Sequence, residues 1–209
     1  MIYIFLTFSL AYLLGSIPAA VIAGKITKGI DIREHGSHNA GATNVFRVLG
    51  AKIAIPVFLV DVLKGFLAVY LLSVFSLDDF ISWPPVTLKF ILGMLAVLGH
   101  VFPVFAGFKG GKGVATLLGV VIGIMPYAAL SGLGIFILFF VITHYVSVGS
   151  IFAGLSFPIF TIFIQHNEDP WIIGFSLFVA TLLLFTHRKN IKRLIKGEES
   201  KIQFKKNKE

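Results

Sequence analysis

Six apolar stretches, residues 2–24, 53–75, 86–106, 114–143, 148–164 and 171–186, alternate with short polar connections. At 1.5 Å per helical residue each is long enough, or nearly so, to cross a hydrocarbon layer about 30 Å thick. Stretch 114–143 is too long for one crossing: 30 residues make about 45 Å of helix. Gly123 and Pro126 lie inside it, and proline removes a helical N–H and clashes with the preceding turn. A break near 123–126 is therefore predicted, with a first piece, 114–124, too short to span and tolerated only inside protein. Gly119 and Gly123 form a G-x-x-x-G in that piece, a spacing that admits a close neighbour.

Charge then fixes the sidedness. Lys25, Lys28, Arg33, Arg47 and Lys52 lie between the first two stretches, Lys109 and Lys112 follow the third, and nine basic residues follow Thr186. Connections 76–85 and 165–170 hold Asp78, Asp79, Glu168 and Asp169 and no Lys or Arg. By the positive-inside rule the basic connections are cytoplasmic and the chain starts outside. Counting 114–143 as one span would carry the basic tail outside, so parity also requires the break. The expected fold is an all-α integral membrane bundle of about seven transmembrane or partly spanning helices, N-terminus outside and C-terminus cytoplasmic.

Composition agrees: mean hydropathy is +0.91, 56% of residues are hydrophobic and 13% are charged. With 209 residues there is room for one bundle, so residues 1–209 are expected to form a single polytopic domain with a short basic tail, 187–209. Residues 1–22 lack the basic start and small-residue cleavage site of a secretory signal and read as a retained first helix. The absence of cysteine excludes disulfides and thiolate metal sites. No internal repeat is visible, which weighs against an inverted-repeat transporter.

Three polar blocks carry the candidate chemistry, all on the cytoplasmic side. The first, HGSHNAGATNVFR at 35–47, leads into a short helix ending at Gly50. Ser37, Asn39, Thr43 and Asn44 are helix-starting types, and the glycines let backbone amides approach a ligand. A helix N-terminus suits phosphate, and Arg47, one turn on from Thr43, has the planar fork to clamp one. The competing reading is a capped helix with Arg47 anchored to lipid headgroups. The second block, FKGGKGVAT at 108–116, again sets glycines and lysines at a helix start, with Lys109, Gly110, Gly111, Lys112, Gly113 and Thr116 as phosphate-binding candidates. It is not a Walker A loop, since Ala106 stands where that motif needs glycine and Gly113 where it needs Ser or Thr, so nucleotide hydrolysis is unsupported. A flexible turn with cytoplasmic lysines is its plain alternative. In the third block, HRKNIKRLIKGEE at 187–199, His187 and Asn190 are three apart at the end of the last helix and share a face. His187 has the chemistry to move a proton or bond an oxyanion, and Asn190 to orient it; the surrounding basic run alone reads as a lipid-attracted stop signal.

Outside the blocks, Asp61 and Lys64 lie within the second apolar stretch. Isolated charges are costly there, so the two are expected to pair structurally. His100 with Pro103 either lines the same cleft or kinks its helix. His38, His144 and His166 stand in separate loops without ligand spacing, so no metal is expected.

Two glycine-rich anion sites on one membrane face suit transfer of a chain activated as an acyl phosphate to a phosphorylated alcohol. The segments DIREHGSHNAGATNVFRVLG (31–50), GHVFPVFAGFKGGKGVAT (99–116) and HRKNIKRLIKGEE (187–199) resemble, in order and over essentially the whole chain, the acyl-phosphate-dependent glycerol-3-phosphate acyltransferases of the PlsY type. One position departs: His38 stands where relatives carry a small residue such as glycine. The resemblance implies acyl transfer from acyl phosphate to the sn-1 hydroxyl of glycerol 3-phosphate in a bacterial inner membrane, giving lysophosphatidate and inorganic phosphate. It implies no acyl-CoA, acyl carrier protein, nucleic acid, metal or other cofactor. Carried over by motif position, Ser37, Asn39, Asn44 and Arg47 belong to substrate binding. Lys109 and the 110–113 glycine loop hold a phosphate, and His187 and Asn190 are active-site residues. The residues by themselves leave two competitors, a transporter of phosphorylated metabolites and a scaffold that binds anionic lipid.

Overall fold

The computed structural model describes residues 2–75 and 83–202. Asp78 and Asp79 of the acidic connection, and Lys205, Lys206 and Lys208 of the tail, lie outside the described residues. The described chain is helical with no strand: α1 (Ile2–Gly15), α2 (Ala19–Lys28), α3 (Ala42–Leu49), α4 (Ala51–Phe75), α5 (Pro85–Val101), α6 (Val114–Ile124), α7 (Pro126–Thr143), α8 (Val146–Ile159, continued by a π-turn over Phe160–Ile164), α9 (Pro170–Thr186) and α10 (Arg188–Ile195). Four of these elements are long and apolar enough to cross a membrane, and six spans result if each of the bent pairs α1/α2 and α9/α10 counts once. With the short apolar α6 these make the seven segments anticipated.

The break in the long apolar stretch falls at Met125, which leaves helical geometry (φ −138°) before Pro126 opens α7. Proline is at home there because the first helical N–H has no partner to lose. Two further breaks depart from expectation. Stretch 2–24 is not one helix: α1 stops at Gly15, α2 restarts at Ala19 after Pro18, and the two axes differ by 41°. The last helix bends by 57° at His187, which ends α9 and opens α10.

Packing divides the chain into two compact units, Met1–Ala129 and Leu130–Glu209. In the first, α4 packs against α1, α3, α5 and α6, and α1 against α5. Small residues set the spacing. A Cβ on Gly65 of α4 would overlap the Thr116 carbonyl of α6, and one on Gly119 of α6 the Val62 carbonyl of α4. Gly15 and Gly99 bring α1 and α5 together in the same way. Such backbone approach is how helices gain contact energy where lipid supplies no hydrophobic drive. One apolar core gathers Ala11, Ala68, Leu72, Leu88, Leu92 and Ala96. A second, with Val21, Ile32, Val45, Ala54 and Val57, lies under the first polar block. In the second unit α8 packs on α9, with Phe139 stacked on Phe152 at 3.8 Å and Phe157 edge-on to Phe175 at 6.0 Å. Large apolar side chains such as Phe5, Ile55, Leu59, Leu130 and Ile142 remain exposed, as helices that face lipid require.

Candidate active site

The first block is organised around Asn44, a residue of α3 that is 1% exposed. Its Oδ1 accepts the Ser37 backbone N–H at 2.7 Å and the Ser37 hydroxyl at 3.1 Å. Its Nδ2 donates to the carbonyls of Ile32 at 2.8 Å and His35 at 3.0 Å. All four hydrogen-bonding positions of the amide are thereby used, so Asn44, expected among the substrate ligands, instead folds the loop that presents Ser37. Gly36 must be glycine on two counts: its φ is +60°, and a Cβ would strike Asn44 Oδ1 and Val48. His38 also has positive φ, 57°, and its Nδ1–H donates to the Arg33 carbonyl at 3.1 Å. That left-handed backbone explains why glycine suits the position. Helix α3 starts from Gly41 with no side chain capping its first amides. Asn39 and Thr43 flank that end, and Arg47 is half-buried one turn along.

In the second block the glycine loop folds back on the end of α5. Gly110 N–H donates to the Val101 carbonyl at 3.2 Å and Gly111 N–H to the His100 carbonyl at 3.1 Å. Those two amides, expected to cradle a phosphate, are committed to the fold, which leaves the anion-binding geometry to the start of α6 and the lysines. Gly113 opens α6 from a left-handed conformation, φ +83°, again with no side-chain cap. Lys109 is exposed and Lys112 half-buried. Thr116 departs from expectation: it is 0% exposed against Gly65 of α4, and its hydroxyl has no hydrogen-bond partner among the described residues. Its place is in the helix packing.

The two blocks meet at Gly111, where a Cβ would collide with the His100 imidazole and approach the Ala40 carbonyl just ahead of α3. His100 in turn lies beside a buried ion pair. Lys64 Nζ is 2.8 Å from Asp61 Oδ1, both side chains at most 3% exposed, and His100 Nδ1 stands 3.4 Å from the same oxygen. Lys64 also donates to the Ile17 carbonyl at 2.9 Å, where α1 and α2 are interrupted. The expected Asp61–Lys64 pairing is thus present, and removing one partner of such a pair costs about 3–5 kcal/mol.

Arg33 was not singled out by its sequence context, yet it bridges the two blocks. It is ion-paired with Asp31 at 2.7 Å and reaches the carbonyls of Ala106 and Lys109. Hydrogen bonding from Arg33 holds the Asp31 carboxyl down at about 2, so the pair stays ionised at any physiological pH.

The second unit holds the third block. His187 is 2% exposed, and its Nδ1 lies 2.9 Å from the Leu183 carbonyl. A carbonyl only accepts, so Nδ1 carries a proton and donates a hydrogen bond to Leu183. Asn190 Nδ2 donates to Glu199 Oε1 at 2.6 Å. Ser147 donates to the same oxygen at 2.9 Å, and Arg193 Nε to Oε2 at 2.7 Å. Burial pushes the Glu199 carboxyl up, but hydrogen bonds from Arg193, Asn190 and Ser147 outweigh it and hold the group below its ordinary value. The Ser147–Glu199 contact spans 52 residues and follows no motif spacing. Among the described residues no group of three His, Cys, Asp or Glu side chains gathers to hold a metal.

Comparison with known proteins sets these blocks in a family. Residues 5–197 match the family described as glycerol-3-phosphate acyltransferase. A glycerol-3-phosphate acyltransferase of Chlorobaculum tepidum is 45% identical, over 93% of this chain and 94% of that protein. One from Fusobacterium nucleatum is also 45% identical, over 93% and 96%. The crystal structure of PlsY (YgiH), an integral membrane glycerol 3-phosphate acyltransferase, superposes with a TM-score of 0.81 at 37% identity over 96% of each chain, in its glycerol 3-phosphate form. Its lysophosphatidic acid form matches equally, at 0.81. On this identity and coverage the chain is a multi-pass membrane protein and belongs to the glycerol-3-phosphate acyltransferase family.

Proposed function

We propose that this protein moves a fatty acyl group from an acyl phosphate to the sn-1 hydroxyl of glycerol 3-phosphate, releasing lysophosphatidate and inorganic phosphate, the first acylation of phospholipid synthesis. The observation that carries the reading is the pair of uncapped helix starts, at Gly41 and Gly113, in blocks that meet at Ala40 and Gly111, with Arg47 and Lys109 in the same blocks. Unpaired amides at two helix N-termini together with cations suit two phosphate groups held near each other. The relative solved with glycerol 3-phosphate and with lysophosphatidic acid supports this acceptor and this product.

Acyl phosphate is a mixed anhydride, so the acyl carbon is already activated and positioning with charge stabilisation suffices. The acceptor hydroxyl oxygen attacks the acyl carbonyl carbon and forms the ester. The bond to phosphate breaks, and the hydroxyl proton passes to the departing phosphate. Lys109 and the start of α6 hold that phosphate. Ser37, whose own proton points to Asn44, offers lone pairs to a hydrogen-bond donor other than the attacking hydroxyl, such as the acceptor's second hydroxyl. His187 and Asn190 enter by their motif. The donor needs neither acyl-CoA nor acyl carrier protein, and the chemistry needs no metal. The excess of basic connections supports a reaction at the cytoplasmic face, and bacterial relatives such as that of Fusobacterium nucleatum support a bacterial membrane as its place.

Lys109→Ala and Arg47→Ala are each expected to lower kcat/KM about a hundredfold or more, while the variants insert and stay monodisperse in detergent. Near-normal kinetics in either variant would remove that residue from the site.

A further inference from the structure

Arg33 lies ahead of the first block and belongs to none of the groups assigned to substrate. Its guanidinium is turned by Asp31: Nε donates to Oδ1 at 3.0 Å and Oδ2 at 3.2 Å, and Nη2 to Oδ2 at 2.7 Å. The Arg33 backbone N–H also donates to Oδ1, at 3.0 Å. The fork so fixed aims Nη1 at two main-chain carbonyls far along the chain, Ala106 at 2.6 Å and Lys109 at 3.2 Å.

Exposed ion pairs contribute little, but this one differs in two respects. Both side chains are about three-quarters buried, at 24% and 22% exposure, and the contact is forked, which adds direction to charge. What it grips is the reversal that delivers Lys109. Between the two held carbonyls, Gly107 and Phe108 both sit at positive φ, 63° and 59°, a conformation a residue like Phe108 rarely adopts unless its surroundings impose it. The Phe108 N–H bond to the Pro103 carbonyl, 2.8 Å, supplies one restraint, and Arg33 supplies the outer one. Lys109 itself is exposed, so its ammonium is aimed chiefly by where its main chain is held.

We infer that Arg33, oriented by Asp31, is a positioning residue that sets the main chain of Lys109 for the phosphate leaving the acyl donor. This rests on the role given to Lys109 above. Such a residue acts on the transition state through Lys109 and leaves acceptor binding alone.

The test measures transfer from palmitoyl phosphate to glycerol 3-phosphate by the purified full chain, with melting temperature alongside. Arg33→Gln is expected to lower kcat about tenfold to hundredfold, with KM for glycerol 3-phosphate within about twofold and the melting temperature little changed. Arg33→Lys, which keeps the charge and loses the fork, restores only part of the rate. In a Lys109→Ala background, assayed with enough enzyme to follow residual turnover, adding Arg33→Gln costs less than about twofold. Wild-type kcat in folded Arg33→Gln, or an undiminished loss in the Lys109→Ala background, overturns the inference. If Arg33→Gln does not fold, Asp31→Asn, which retains Arg33 and removes its orienting charge, takes its place with the same expectations. Normal turnover in Lys109→Ala would remove the role given to Lys109 and this inference with it. Impaired Lys109→Ala beside normal Arg33→Gln would remove the inference alone.

Discussion

At the scale of the residue, two carboxamides are tied into the fold by their hydrogen bonds. Asn44 spends both donors and both acceptor positions on the loop around Ser37. Asn44→Asp keeps an acceptor for Ser37 but turns a carboxylate oxygen toward the carbonyls of Ile32 and His35, costing about 1–3 kcal/mol for each buried donor lost. It should lower the melting temperature together with activity; full thermal stability with lost substrate binding would return Asn44 to the ligands. Asn190 is tied to Glu199, whose folded carboxyl lies below the ordinary 4.5. A depressed carboxylate stabilises the fold above its unfolded pKa and loses that contribution as pH falls through the folded value. Thermal melts should therefore weaken more steeply below about pH 4.5 in the wild type than in Glu199→Gln, and identical slopes would contradict the assignment. Ser37, Arg47 and Lys109 can be proposed from the sequence because serine, glycine and basic residues cluster around helix starts. The reach of Arg33 to the carbonyls of Ala106 and Lys109, and of Glu199 to Ser147, is not legible there, because no local pattern encodes contact with a distant segment.

At the scale of the element, helix placement depends on glycines that let backbones touch. Gly119 lies against the Val62 carbonyl, which belongs to main chain and cannot swing aside. Gly119→Val is expected to displace α6 from α4 and lower the melting temperature sharply, with activity, because α6 begins at the glycine loop. Gly134→Val on α7, where a Cβ would meet nothing within 4 Å, should stay within about 0.5 kcal/mol of wild type. Equal effects of the two changes would refute the packing argument. The G-x-x-x-G of α6 was visible in the sequence, but its partner helix was not, since spacing names a face and not its neighbour. The same limit applies to breaks. Pro126 inside an overlong apolar stretch marked the gap between α6 and α7, whereas Gly15 and Pro18 interrupt a stretch of ordinary length and passed as one helix. The bend at His187 had no Gly or Pro to announce it.

At the scale of the molecule, apolar composition decided the class and the uneven charge decided the expected sidedness. The formal net charge is +8, and the connections expected to face the cytoplasm carry most of the cations, at the leaflet where anionic lipid lies. In the proposed function, this expected sidedness would bring a soluble phosphorylated acceptor and a lipid-borne acyl donor to one face. The central claim is therefore stoichiometric transfer between them. The measurement that tests it most directly incubates the purified protein with palmitoyl phosphate and glycerol 3-phosphate and follows phosphate release and lysophosphatidate together. The account predicts equal amounts of both products, with neither formed when glycerol 3-phosphate is omitted. Phosphate release without acylated product would mean hydrolysis or another acceptor, and no reaction in folded protein would contradict the enzyme and favour a transporter of phosphorylated metabolites.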